Sequence, residues 1–144
     1  DMMLKSERYP RARLQYEKAM AEFPQSPRPL QKMGNYYLAL KRVEDAREMF
    51  HKALEVDPNC VEALNNLAVI NMQEKKFADA ATLLDRVIEA DPKYANAYLN
   101  RGIIASDVDK DTQKGLECFR KYVELNGPRS KEVRVWITEL EAKH

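Results

Sequence analysis

The chain has 144 residues, 33% of them charged, and the charges nearly cancel, leaving a formal net charge of +1. That length suits one domain with a continuous core. The balance excludes the basic excess of a dedicated nucleic-acid surface and the polybasic cluster of a membrane-surface patch. Only four glycines, in a background rich in Ala, Leu, Glu, Lys and Arg, favour helix throughout. No apolar run approaches the roughly 20 residues needed to span a bilayer. The opening DMMLK is too short for the apolar segment of a signal peptide. The chain begins with Asp rather than Met, so the expectation is a soluble piece of a longer protein, with no compartment specified.

A period organises the sequence. Pro24, Pro58 and Pro92 are evenly spaced, 34 residues apart, and EVDPNCVEALNNLAVI (55–70) returns as EADPKYANAYLNRGII (89–104). Residues 1–26 open in mid-period. Tyr9, Ala12, Tyr16 and Ala19 fall on second-helix columns, Phe23-Pro24 closes that helix, and Pro10 sits in its first turn, where a missing N–H costs nothing. Residues 1–6 then read as the end of a first helix. This supports the expectation of a partial first repeat.

Residues 27–60 form the next unit, with a first helix near 28–40 carrying Leu30, Met33 and Gly34. Its second helix, near 44–56, carries Ala46, Phe50 and Ala53. In residues 61–94 the first helix, near 61–74, presents Leu64, Leu67, Ala68 and Asn71 on one face. Phe77, Ala80, Ala81, Leu84, Val87 and Ile88 do the same on a second helix near 78–90. Residues 95–128 repeat the plan, with helices near 95–107 and 112–125. Tyr98, Arg101 and Gly102 keep the first-helix columns. One extra residue after Val108 shifts the match to Gly115, Phe119 and Tyr122, and Gly127 stands where Pro is expected. Small residues at Gly34, Ala68 and Gly102, facing Ala46, Ala80 and Gly115, let helices approach to the short end of about 8–10 Å. Asp57-Pro58 and Asp91-Pro92 end their units, because Pro disfavours helix in the residue before it. Residues 129–144 differ. Val133, Trp136, Ile137 and Leu140 make one apolar stripe with charges opposite, the pattern of a terminal capping helix.

These helix pairs, with small–small crossings and a closing Pro, resemble the tetratricopeptide repeat (TPR) family over almost the whole chain. There are departures. The usual tryptophan column holds Leu30, Leu64 and Tyr98, and the later aromatic column holds Tyr37, Asn71 and Ala105. The resemblance implies an all-α, right-handed α-solenoid of antiparallel helix pairs whose first helices line a concave groove.

Little here supports catalysis. His51 sits off the apolar stripe of its helix and reads as solvated, and no nucleophile–base grouping or phosphate loop can be assembled. The two cysteines, Cys60 and Cys118, read as small apolar fillers. Asp107, Asp109 and Asp111 have the alternate spacing of a calcium loop. That loop needs Gly where Thr112 stands and Glu where Cys118 stands, so Asp111-Thr112 reads instead as a helix N-cap. The expectation is a protein that is not an enzyme and uses no metal or cofactor.

The implied groove carries Gln31, Asn35, Asn65, Asn66, Asn96 and Asn100 as polar contacts, and Val69, Leu99 and Ile103 as apolar floor. An Asn amide donates and accepts at fixed geometry, so it can pair with a peptide N–H and C=O together. Asn66 and Asn100 could equally bond neighbouring helices. Some family members grip the C-terminal carboxylate of heat-shock chaperones with a cationic clamp. Asn35 and Asn66 match its two Asn positions, but Gln31, Asn96 and Asn100 occupy its three cationic ones, so the charge-assisted contacts are missing. The functional expectation is a scaffold binding a protein or peptide, without nucleic-acid or membrane partners. Two alternatives stand beside it. One is a regulatory or assembly domain of a larger enzyme or cell-envelope machine. The other is self-association through the N-terminal half-repeat, using Tyr9, Tyr16 and Met20.

Overall fold

The structure, a computed structural model, describes the backbone of residues 2–143 and the side chains of 11 and 13–143. All its regular elements are helical. They are α1 (Met2–Glu22), α2 (Arg28–Ala39), α3 (Val43–Val56), α4 (Val61–Gln73), α5 (Phe77–Ala90), α6 (Ala95–Ile103), a π turn (Ile104–Val108), α7 (Thr112–Glu124) and α8 (Ser130–Ala142). The expected helices from 28 onward appear within a residue or two. The first stretch differs: Met2–Glu22 is a single helix rather than two helices meeting before Pro10. The side chains of Tyr9, Pro10 and Ala12 lie outside the described residues. The contacts divide the chain into two compact units, Asp1–Ile70 and Asn71–His144.

In the first unit, α2 packs on α3 and on α1. The α2–α3 crossing is set by Gly34, where an added Cβ would lie 2.5 Å from the Phe50 ring. Phe50, Ala46 and Ala53 are fully buried beneath it. The edge of Tyr16 on α1 meets Tyr36 on α2, with ring centroids 6.2 Å apart. A Cβ at Gly102 in the second unit would likewise lie 2.6 Å from Phe119. The same column thus builds the crossing of α6 and α7. Val133, Trp136, Ile137 and Leu140 of α8 pack against Leu99, Phe119 and Tyr122. The apolar stripe at the C-terminus therefore does cover the last helix pair, with Phe119 and Trp136 in edge-to-face contact at 5.5 Å.

The turns keep the period through residues that are not glycine. Lys41 and Lys75 take left-handed φ of 60° and 62°, and Lys110 and Asn126 take 56° and 58°. Beside the first two, Arg42 N–H bonds Tyr37 C=O and Lys76 N–H bonds Asn71 C=O, each at 2.8 Å. These are the six-to-one bonds that close a helix C-terminus. At the third turn Asp111 N–H reaches back to Ala105 C=O instead, a span longer by one residue. The extra residue is therefore absorbed between these two residues, where Asp109 N–H bonds Ile104 C=O at 3.0 Å in the π pattern. The column spacing sets it after Val108. A residue added to a helix end can widen the last turn at no loss of backbone bonding.

Gly127 replaces the closing Pro for a local reason. Tyr122 occupies the column that holds Ala53 and Val87, and its ring is fully buried. A Cβ at Gly127 would lie 2.1 Å from that ring. The Tyr122 hydroxyl accepts the Arg129 N–H at 2.8 Å, which fixes the approach to α8.

Candidate functional site

In the first unit, α2 and the segment from Asp57 to Glu62 enclose an open cleft of about 570 Å³. Arg28, Gln31, Lys32 and Asn35 form the α2 wall, because residues three and four apart share a helix face. Asp57, Asn59, Cys60 and Glu62 form the other. The second wall follows from the Asp-Pro end of α3. Asp57 takes an extended conformation that stops the helix, and its carboxylate accepts the Asn59 N–H at 3.0 Å. That local turn leads directly into α4.

The site's central feature is an amide pair. Asn66 Nδ2 on α4 donates to Asn35 Oδ1 on α2 at 2.9 Å. The bond orients both side chains and consumes only one donor and one acceptor site. The Asn35 NH2 group and the Asn66 carbonyl remain, a donor and an acceptor of the kind a peptide backbone pairs with. The inter-helix role that the sequence offered for Asn66 is thus present, and it leaves half of each amide for a ligand.

The other sequence-derived positions divide. Gln31 and Asn35 line the cleft, and Asn66 holds Asn35. Asn65 is buried, its side-chain Oδ1 without a hydrogen-bond partner, so it does not present an open contact surface. Val69 is half-buried and does not line the cleft. In the second unit Asn96 is exposed and Asn100 half-buried. Leu99 lies in the core with Phe119, Tyr122 and Val133, so it serves packing rather than an open floor. Ile103, half-buried, lines a smaller pocket of that unit together with Trp136. Sequence reasoning missed Lys32, Asp57, Asn59 and Cys60 as cleft residues. The Asp-Pro-Asn turn was a usable signal for three of these four, since it fixes where the wall runs.

Both thiols are buried and neither is in a disulfide. Burial pushes the Cys60 thiol above its ordinary range; Glu62 and Asp57 nearby act in the same direction. Burial raises Cys118 too, against the partly compensating charges of Lys114 and Arg101. Both therefore remain protonated near neutrality and behave as fillers. His51 is exposed. Asp111 caps α7, accepting the Lys114 N–H at 3.1 Å. Among the described residues no group of three or more His, Cys, Asp or Glu is placed to hold a metal ion. Within the same residues, no helix is long and apolar enough to cross a membrane.

The sequence profile of the tetratricopeptide repeat family matches residues 32–95 and 76–128. Together these matches span more than half of the chain, which therefore belongs to the tetratricopeptide repeat family. None of the curated proteins compared with it matches. Among solved structures it is similar to the first TPR of Spaghetti bound to an HSP90 peptide. The identity is 22% and the TM-score 0.72, over 83% of this chain and 93% of that one. It is also similar to the N-terminal domain of stress-induced protein-1 from C. elegans. That match has 26% identity and a TM-score of 0.66, over 80% of this chain and 94% of that one. A third is YrrB, a TPR protein with an unusual peptide-binding site, at 18% identity and a TM-score of 0.78, over 89% of this chain and 65% of that one. These likenesses agree on the all-α TPR fold, a fold of protein–protein interaction modules.

Proposed function

We propose that the chain is a non-enzymatic interaction scaffold whose first unit holds an extended peptide segment of a partner protein. The observation that carries this reading is the Asn66–Asn35 bond beside the α2 cleft. It presents a fixed donor and acceptor that suit main-chain recognition with little demand on the partner's side chains. Gln31 extends the polar row by one helical turn. Arg28 and Lys32 on one wall, with Asp57 and Glu62 on the other, would favour a segment of mixed charge. Two similar structures, one bound to an HSP90 peptide and one with an unusual peptide-binding site, are consistent with this use of the fold. Asn96, Asn100 and Ile103 stand as further contact positions belonging to the second unit.

A test is selection from a random-peptide display library on the native domain, repeated with an Asn35→Ala/Asn66→Ala variant whose fold is checked by circular dichroism. The expected outcome is a peptide set whose binding the variant loses by about tenfold or more, the scale of one or two hydrogen bonds left unmade. Equal binding by both would remove the amide pair from recognition.

A second reading has one observation in its favour. Leu14 and Phe23 on and after α1 are more than half exposed, and Phe23 borders an open groove with Tyr16, Ala19 and Pro29. A second copy could cover this surface, consistent with self-association through the N-terminal region. Sedimentation decides it: a strictly monomeric species at high concentration sinks this reading.

A further inference from the structure

The second unit has a pocket that the peptide cleft does not explain. It measures about 290 Å³ and lies among α6, the π turn, α7 and α8. Its base is apolar and aromatic: Ile103, Phe119, Trp136 and Leu140. Its rim is charged and unequal, with the carboxylates of Asp107 and Glu139 against the single amine of Lys143. The volume lies just below the roughly 300 Å³ at which pockets for drug-sized ligands begin, a size suited to one long side chain.

We infer that this pocket is a binding site for an arginine side chain of a partner segment. An arginine matches both parts at once. Its methylene stem covers Ile103 and Leu140, its planar guanidinium stacks near the Trp136 indole, and its fork of donors meets the rim carboxylates. Trp136 already accepts such a cation: the Arg129 guanidinium lies over its ring, 5.2 Å from the centroid. Arg129 does not line the pocket and is itself paired with Glu132. Asp107 stands in the π turn, and Ser106 Oγ donates to Asp107 Oδ1 at 3.2 Å, orienting one carboxylate oxygen and leaving the other. Lys143, one residue past the end of α8, also lines the pocket, so its amine competes with an incoming arginine for the rim carboxylates. Neither an acidic nor a purely apolar side chain satisfies the rim. The inference is independent of the cleft in the first unit and survives or fails separately.

The chain has one tryptophan, so selectively excited indole emission reports on Trp136, which lines this pocket. The test titrates a blocked Gly/Ser peptide with one central arginine. Parallel titrations use the same peptide with citrulline, the neutral isostere, or with glutamate. The arginine peptide is expected to give a saturable emission change. The citrulline peptide, and the arginine peptide on an Asp107→Asn/Glu139→Gln variant, should bind about tenfold more weakly, the scale of a cation–π contact plus an ion pair. A Lys143→Ala variant should bind the arginine peptide more tightly, because the competitor is gone. All three substituted side chains are exposed, so the fold is expected to survive, and near-ultraviolet circular dichroism verifies it. The proposal is overturned by no saturable change at millimolar peptide, by equal affinity for citrulline or preference for glutamate, by native-like binding to the double variant, or by weaker binding after Lys143→Ala.

Discussion

The two units cross their helices with the same pair of residues and then finish differently. In one, Gly34 admits the Phe50 ring; in the other, Gly102 admits Phe119. After that crossing the first unit follows the period, with a regular turn at Lys41 and an extended Asp57 that ends α3. The second adds a residue, widens the end of α6 into a π turn, and ends α7 with Tyr122 packed on Gly127. Each irregularity comes with a compensating glycine. The π turn sets Ser106 against α7, where Gly115 stands in the column of Ala46 and Ala80; a Cβ there would lie 2.9 Å from Ser106 Cβ. The comparison teaches that the crossing is the conserved demand of the packing, while the turn and the helix end can vary if a neighbour gives up its side chain.

The strongest way to break that comparison is at Gly127. Gly127→Ala is expected to cost about 3 kcal/mol or more, because the buried Tyr122 ring has no room to move aside. Tyr122→Ala alone leaves a cavity worth about 3–5 kcal/mol. A Tyr122→Ala/Gly127→Ala variant should then lose distinctly less than the sum of the two single losses, since removing the ring makes room for the added methyl. Urea unfolding of the four proteins measures this coupling; strict additivity contradicts it.

Next come the shared crossings. Gly34→Ala and Gly102→Ala should each destabilise by about 1–3 kcal/mol, from overpacking. Gly102→Ala should be the worse, because the added methyl meets Cys118 Cβ at 3.1 Å as well as Phe119, and Trp136 braces that ring. Equal or reversed losses in thermal unfolding would contradict the extra bracing assigned to the Gly102 crossing.

A smaller effect sharpens the role of the extra residue. Deleting exposed Val108 should let α6 end as α2 does, at a cost of about 1 kcal/mol or less, the range of surface changes away from the core. In that background Gly115→Ala should stabilise by up to about 1 kcal/mol through helix propensity, whereas in the native chain it should destabilise. A destabilising Gly115→Ala in both backgrounds would separate Gly115 from the π turn.

The smallest expected effect is pH dependence from the thiols. Burial raises both above the ordinary value of 9.0, so the folded chain keeps protons that the unfolded chain releases. This contribution is fully present below about pH 9 and is lost as pH rises through the folded values. Cys60→Ala/Cys118→Ala should flatten the alkaline decline in stability measured by denaturant titration. An unchanged slope would assign the decline to other groups.

Much of this was legible because packing repeats leave columns. Gly34 and Gly102 at the helix crossings can be read from spacing, although the spacing set them against Ala46 and Gly115 and the structure sets them against the Phe50 and Phe119 rings; the apolar stripe of α8 and the cap at Asp111 were legible too. What escaped was local and relational. The column match put the extra residue after Val108, but spacing could not show that the helix end widens into a π turn to take it in. Gly127 looked like a departure until Tyr122 explained it. At the site, Gln31 and Asn35 were legible from the helix face, but Asn65 next to Asn66 was not separable from it: one is buried, the other bonds across to α2. Adjacent residues on a helix point about 100° apart, and a polar type does not reveal which side the core takes.

The most direct test of the binding proposal is to follow the side-chain amide resonances of Asn35 and Asn66 by NMR while adding a peptide selected on the native domain. Both are expected to shift saturably, with shifts that track the binding curve of the whole domain. Saturable binding of that peptide with both amides unmoved would contradict it, and would leave the Asn35–Asn66 bond a purely structural tie between two helices.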